Sequence, residues 1–234
     1  MATADVGFSG RVANLIYYKM YGKTYVRIAP SSVRQTKATR AKATIFGRAS
    51  KMGKVIRRQL SPAIPFPTDH KMQIRLVSAI VQWLNGMRGK TVNMNFIREF
   101  DFIEKFRSVR NRWKSYPKLS NPSPGLIEIK IPALLPEESI ELPTGAVSVI
   151  CNIAVGSCDV ETGRALGNAS TELIFEFNKT WVEAQTISMK LPTPKGSLIV
   201  MGMSLRYRVH NKGYEADHNI KSFMPAGIVD AKYV

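Results

Sequence analysis

"YPKLSNPSPG", Tyr116 to Gly125, decides how this chain is to be divided. Three prolines, two serines and a glycine in so short a run read as a linker, because proline and glycine interrupt both helix and strand. The charge changes at the same place. Residues 1–120 carry 24 Lys and Arg against 5 Asp and Glu, whereas residues 121–234 carry 10 against 12, so the net charge of +17 belongs to the first half. The division expected is a basic hairpin and helical region over 1–118, a linker over 119–125 and a β-sandwich domain over 126–234.

Beyond the linker the apolar residues recur with period two. "GLIEIKI", "SIELP", "AVSVICNIAV", "STELIFEF", "AQTISMKL", "SLIVMGMSLRYRV" and "GIVDAKYV" are strand candidates separated by turns such as "ETGRALGN" and "PTPKG". That number of strands in that length predicts an antiparallel, Ig-like β-sandwich, without the Cys-Trp-Cys hallmark of antibody domains. Cys151 and Cys158 fall in one strand on opposite faces by parity, so they are expected as free thiols.

Before the linker, "RVANLIYYKM" and "TYVRIAP" flank a Gly-containing turn and predict a hairpin. Pro30 ends it, and Ser31 or Ser32 can cap a helix. In that helix Ala38, Ala41, Ile45, Ala49, Met52, Ile56 and Leu60 form one apolar stripe at steps of three and four. A second helix is expected from Thr68 or Asp69, with Leu76, Ile80 and Trp83 on its apolar side, stopping at Asn85-Gly86. "NFIREFDFIEKFRSVRNRW" reads as partly helical. The fold class is therefore α+β.

The stretch Ser31 to Leu60 holds nine Lys or Arg and no carboxylate, and between Asp5 and Asp69 there are thirteen basic residues. A helix face that merely stays soluble normally mixes both signs, with Glu spaced to pair with Lys; like charges on adjacent turns cost a few tenths of a kcal/mol per pair. Arg34, Lys37, Arg40, Lys42, Arg48, Lys51, Lys54, Arg57 and Arg58 are therefore the candidate polyanion-binding residues. Few amide side chains accompany them, so contact with DNA or RNA would be to phosphate and indifferent to base sequence. Tyr17, Tyr18, Tyr21 and Tyr25 allow either a stacking platform for single strands or ordinary cross-strand packing.

Catalytic patterns are missing: there is no G-x-S-x-G elbow, Walker loop or H-E-x-x-H, and the chain has only 3 His and 2 Cys. His210, Glu215, Asp217 and His218 could ligate a metal, but their surroundings read as a hairpin loop. Asp159 and Glu161 before Gly163 suggest half a calcium loop that lacks its bidentate Glu, hence a turn. The expectation is no enzyme, no cofactor and no metal. No segment has the roughly 20 apolar residues of a membrane span, and the start has no signal-peptide pattern, so synthesis in the cytoplasm is expected.

Gly7 to Pro30, "GFSGRVANLIYYKMYGKTYVRIAP", resembles the opening of uncharacterised proteins from Bacteroidota through Gly10, Val12, Gly22, Lys23, Arg27 and Pro30. The resemblance implies a hairpin, then a basic helix and a β-rich C-terminal half, with no assigned activity. Together these readings predict a structural protein. Its slightly acidic β-rich half, with Glu137, Glu138, Glu141, Glu172, Glu176 and Glu183, would receive the basic region of another copy. Such a head-to-tail contact propagates into a filament or closes into a ring. Thr24, Tyr25, Val26, Arg27 and Ile28 are the expected self-association strand. A sequence-independent nucleic-acid binder is the alternative, and other copies, DNA or RNA are the expected partners.

Overall fold

The structure, a computed structural model, describes residues 2–3, 9–31, 35–65, 69, 71–88, 93–104, 108–211, 214–217 and 224–234. It is a mixed α+β chain with three antiparallel sheets, and it divides into two compact units, Met1–Lys42 and Ala43–Val234.

The first unit holds β1 (Ala2–Thr3), β2 (Gly10–Val12), β3 (Leu15–Met20) and β4 (Lys23–Ile28), in the order β1-β4-β3-β2. The expected hairpin is β3–β4. Met20 pairs with Lys23, leaving Tyr21 and Gly22 at φ 52° and 74° as a two-residue loop. Positive φ at both central positions matches the right-handed twist of the strands, and glycine supplies one of them without strain.

Helix α1 (Lys37–Gln59) follows. It starts later than Ser31 or Ser32, because Thr36 is its cap: the Thr36 hydroxyl accepts from the Thr39 backbone N–H at 3.2 Å, satisfying one of the orphan donors of the first turn. Ser32 lies outside the described residues.

The second unit contains α2 (Met72–Arg88), α3 (Asn95–Arg98), α4 (Val109–Arg112), β5 (Lys118–Ser123), β6 (Leu126–Ile131), α5 (Pro136–Ser139), β7 (Ala146–Asp159), β8 (Ala165–Glu176), β9 (Gln185–Lys190), β10 (Ser197–Asn211), β11 (Tyr214–Asp217) and β12 (Ala226–Tyr233). Helix α2 runs through Asn85-Gly86 instead of stopping there. A five-stranded sheet has the order β11-β10-β7-β8 with β12 also on β10, and a three-stranded sheet has the order β5-β6-β9.

Two cores follow from the parity of the central strands. Ala154 and Cys158 of β7 with Leu198 and Val200 of β10 face Met52, Ile56, Leu60, Leu76, Ile80 and Trp83 of the helical layer. Their neighbours Val149, Cys151, Ile153 and Val155, with Ile199, Met201 and Met203, face Ile127, Ile129 and Leu119 of the three-stranded sheet. The second unit is thus three layers, helices on sheet on sheet, each apolar face covered by the next.

This corrects the expected division. Residues 119–125 are no linker: Lys118–Ser123 is strand β5, with Leu119 buried. The chain divides near residue 42, so most of α1 and all of α2 belong with the β-rich part. The expected two-layer sandwich also lacked the helical layer that covers the second face of the five-stranded sheet. Pro122 is tolerated because β5 is an edge strand whose register shifts between Ser120 and Ser123, so a missing N–H breaks no ladder bond.

The helical layer approaches closely over a floor of small residues. Gly156 lies beside Gln59, whose Nε2 donates to the carbonyls of Ser157 and Gly167 at 2.8 Å each, tying α1 to β7 and β8. A Cβ on Gly156 would stand 2.6 Å from Gln59 Oε1 and 2.7 Å from its Cβ. The Cβ is fixed to the helix backbone, so α1 itself would have to shift. Gly156→Ala is expected to lower stability by about 1–3 kcal/mol, as overpacking does, read as an earlier urea midpoint at unchanged slope.

Candidate functional site

The basic residues of α1 are arranged by the same geometry that buries its apolar stripe. Ile45, Ala49, Met52 and Ile56 are buried, while Ala38 and Ala41 of the expected stripe are exposed. On the opposite side Lys51, Lys54 and Arg58, at steps of three and four, form an exposed line, and Arg57 is exposed beside it. None of these four has a carboxylate within ion-pair distance among the described residues. Lys37, Arg40 and Lys42 lie in the first unit and are also exposed; Arg34 lies outside the described residues.

Arg48 is half-buried and departs from this line. It lines a crevice of about 330 Å³ with Lys195, Asp159, Glu161 and Tyr233. Two cations against two carboxylates make that crevice electrically balanced, so among the described residues the exposed α1 cations of the second unit with no carboxylate at ion-pair distance are Lys51, Lys54, Arg57 and Arg58.

The expected self-association strand is not a free edge along its length. Val26 pairs with Tyr17 on one side and with Ala2 on the other, and Tyr25 with Tyr18 and Thr3. The first strand reaches β4 and covers its middle, which the hairpin pattern alone did not reveal. What the unit does present is a face. Residues opposite one another share a side of a sheet, so Val12, Leu15, Ile28, Tyr17 and Val26 stand together. Ile28 is 73% exposed and Val12 52%. The other side carries Arg11, Ile16 and Arg27, with Arg27 over the Tyr18 ring at 5.8 Å and Tyr18 stacked on Tyr25 at 5.8 Å. The Tyr18–Tyr25 contact is thus cross-strand packing; Tyr21 stands exposed at the turn.

The remaining candidates resolve into structure. His210 pairs with Glu215 across the β10–β11 hairpin, and His218 lies outside the described residues; among the described residues no three His, Cys, Asp or Glu come together to hold a metal. Asp159 Oδ1 accepts from the backbone and hydroxyl of Thr162 at 2.6 and 2.5 Å, closing the expected turn, and those bonds hold its carboxyl below the usual range. Cys151 and Cys158 are free and buried, one in each core. Burial pushes Cys158 up to about 12, followed by the charge of Asp159, and pushes Cys151 up too, so neither is a nucleophile at neutral pH.

One group was missed in the sequence. Lys118 of β5 lies directly opposite Lys130 of β6, and both line a crevice with Lys114 and Tyr116. The signal was the outward position of both lysines in "KLSNPSPGLIEIK", visible only once the proline-rich stretch is read as a strand. No protein-family model matches the chain, and a search of curated proteins finds none similar to it.

Proposed function

We propose that this is a non-enzymatic assembly protein, in which the N-terminal sheet of one copy docks on the β-rich part of another while basic α1 residues engage an anionic surface. The observation that supports this most is the apolar face of Val12, Leu15, Tyr17, Val26 and Ile28 on a small sheet. Among its described residues only Ala29 is a buried hydrophobic. A small sheet with so little fully buried apolar surface among its described residues is marginal in water and gains from a partner. Thr24 to Ile28 keep a part in the contact, through the face and not the edge.

Charge favours a second copy as that partner. The first unit has eight Lys or Arg and one acid. In the β-rich part, β8 is an edge strand whose exposed residues include Glu172, Ile174 and Glu176, and Trp181 and Glu183 are exposed shortly after it. Basic against acidic, with apolar residues on both, is a heterologous contact that repeats. Negative-stain images of the full chain should show rings or filaments, and single particles under all conditions would sink this reading.

The second reading, a sequence-indifferent nucleic-acid binder, is favoured by the exposed line of Lys51, Lys54 and Arg58. Its expected result is an affinity for DNA or RNA that falls log-linearly with salt. Reversing Lys51, Lys54, Arg57 and Arg58 to Glu should cost at least a hundredfold at low salt, since each phosphate contact carries roughly 0.7–0.9 of slope. Affinity unaffected by those four changes removes α1 from any binding role.

A further inference from the structure

We propose that Arg98, Arg110, Lys114, Tyr116, Lys118 and Lys130 form a second groove, distinct from α1, that binds the phosphate backbone of an unpaired nucleic-acid strand. Two crevices carry it, and they share Tyr116 and Lys118.

The first, of about 360 Å³, is lined by Arg98, Arg110 and Lys118 with Glu99 and Asp230. Asp230 is already engaged: Arg98 Nε stands 3.3 Å from it, and the backbone N–H groups of Leu119 and Ala231 donate to it at 3.2 and 2.8 Å. Arg98 also donates to the Ala231 carbonyl at 2.9 Å, which fixes it in place. Arg110 and Lys118 have no carboxylate at ion-pair distance among the described residues.

The second crevice, of about 650 Å³, is lined by Lys114, Lys118 and Lys130 and, among the described residues, by no carboxylate. Lys118 and Lys130 are cross-strand partners. Like charges directly opposite one another destabilise a sheet, so the pairing is a standing cost that an anion between them would relieve. Glu128 lies 3.7 Å from Lys130, but that pair is open to water and weak.

The aromatic ring distinguishes the ligand. Tyr116 stands where the two crevices meet, half-buried, with Lys118 Nζ over its ring at 3.7 Å. Cations in both crevices that Tyr116 lines suit a polymer that alternates phosphate with a flat base. A duplex keeps its bases paired and stacked, so it offers the ring no free flat face. An acidic peptide would meet the lysines but has no flat group for the ring.

The test uses the full chain and a fluorescent oligothymidylate, followed by anisotropy over a range of salt. Lys114→Gln, Lys118→Gln and Lys130→Gln together keep the side-chain stems and remove the like-charge pair, so the thermal unfolding temperature should stay the same or rise slightly. Losing three contacts should reduce the slope of log affinity against log salt by about 2, and weaken binding roughly fiftyfold near 0.15 M salt. The α1 reversal described above should leave this component in place. Binding and slope unchanged in the triple variant, or competition by polyglutamate as strong as by oligothymidylate, would overturn the groove. Equal affinity for duplex and single strand would overturn the unpaired ligand. Ultraviolet crosslinking of a bromodeoxyuridine strand to the unaltered protein gives a readout independent of any substitution: crosslinks at Tyr116 are expected, and crosslinks confined to α1 refute the site.

Discussion

An isolated fragment of residues 126–234 is expected to show no cooperative unfolding transition, whereas residues 43–234 should unfold sharply. The shorter fragment keeps β6 to β12 but loses everything that covers the helix-facing side of the five-stranded sheet. Leu198, Val200, Ile228, Ala154, Cys158 and Ala231, all buried now, would face water. A fully buried Leu, Val or Ile contributes about 1.5–3 kcal/mol, so the first three alone carry roughly 5–9 kcal/mol. The second core suffers too, since Val109, Trp113 and Leu119 leave it. Buried Arg112 would also be gone, with its 3.1 Å contact to Glu141, whose backbone carbonyl accepts from the Tyr207 hydroxyl. The sum matches the whole stability of an ordinary domain, about 5–15 kcal/mol. Circular dichroism of both fragments during heating checks this; a sharp transition in 126–234 would restore the boundary at the proline-rich stretch and dismiss the three-layer account.

That boundary was misread for a physical reason. In "KLSNPS" only Leu119 is apolar, so an edge strand with one inward residue and a register shift gives no period-two signal, and its proline reads as an interruption. The opposite clue was present in "AVSVICNIAV" and "SLIVMGMSL". A strand with one wet face alternates, but these runs are apolar on both parities, which is the pattern of a strand buried on both faces. Such strands require a third layer, and the apolar stripes of α1 and α2 were available to supply it. The line of cations on α1 was legible because a single helix places residues three and four apart on one side. Lys118 and Lys130 come from different strands, and only the register of β5 on β6 brings them together. The face of the N-terminal sheet was half legible: alternation marked Val26 and Ile28, but the pairing of Ala2 and Thr3 across β4 spans most of the unit and leaves no local trace.

Deleting residues 1–30 is expected to convert an assembling protein into a monomer without unfolding the second unit. The deletion removes β1 to β4 and leaves α1 whole. Among the described residues, the two cores include none from the deleted segment, and the buried hydrophobic set takes only Ala29 from it. Stability of the 43–234 unit should therefore be unaffected while association is lost. The point substitution Ile28→Asp isolates the docking face from the sheet itself. Ile28 is 73% exposed, so a carboxylate there disturbs little within the copy, but in a docked face it would be desolvated and would stand against Glu172 and Glu176 of the neighbour. Val26→Pro should act in the same direction by a different route, removing a ladder donor in a strand paired on both sides. The proposed contact would join a basic unit to an acidic edge, so its strength should fall as salt rises. Sedimentation at tens of micromolar, where an interface of about −6 to −7 kcal/mol becomes visible, compares the full chain with the three variants. If the full chain sediments as a monomer at low and moderate salt, with and without nucleic acid, docking of the N-terminal sheet is refuted and phosphate binding by the basic surfaces becomes the better account.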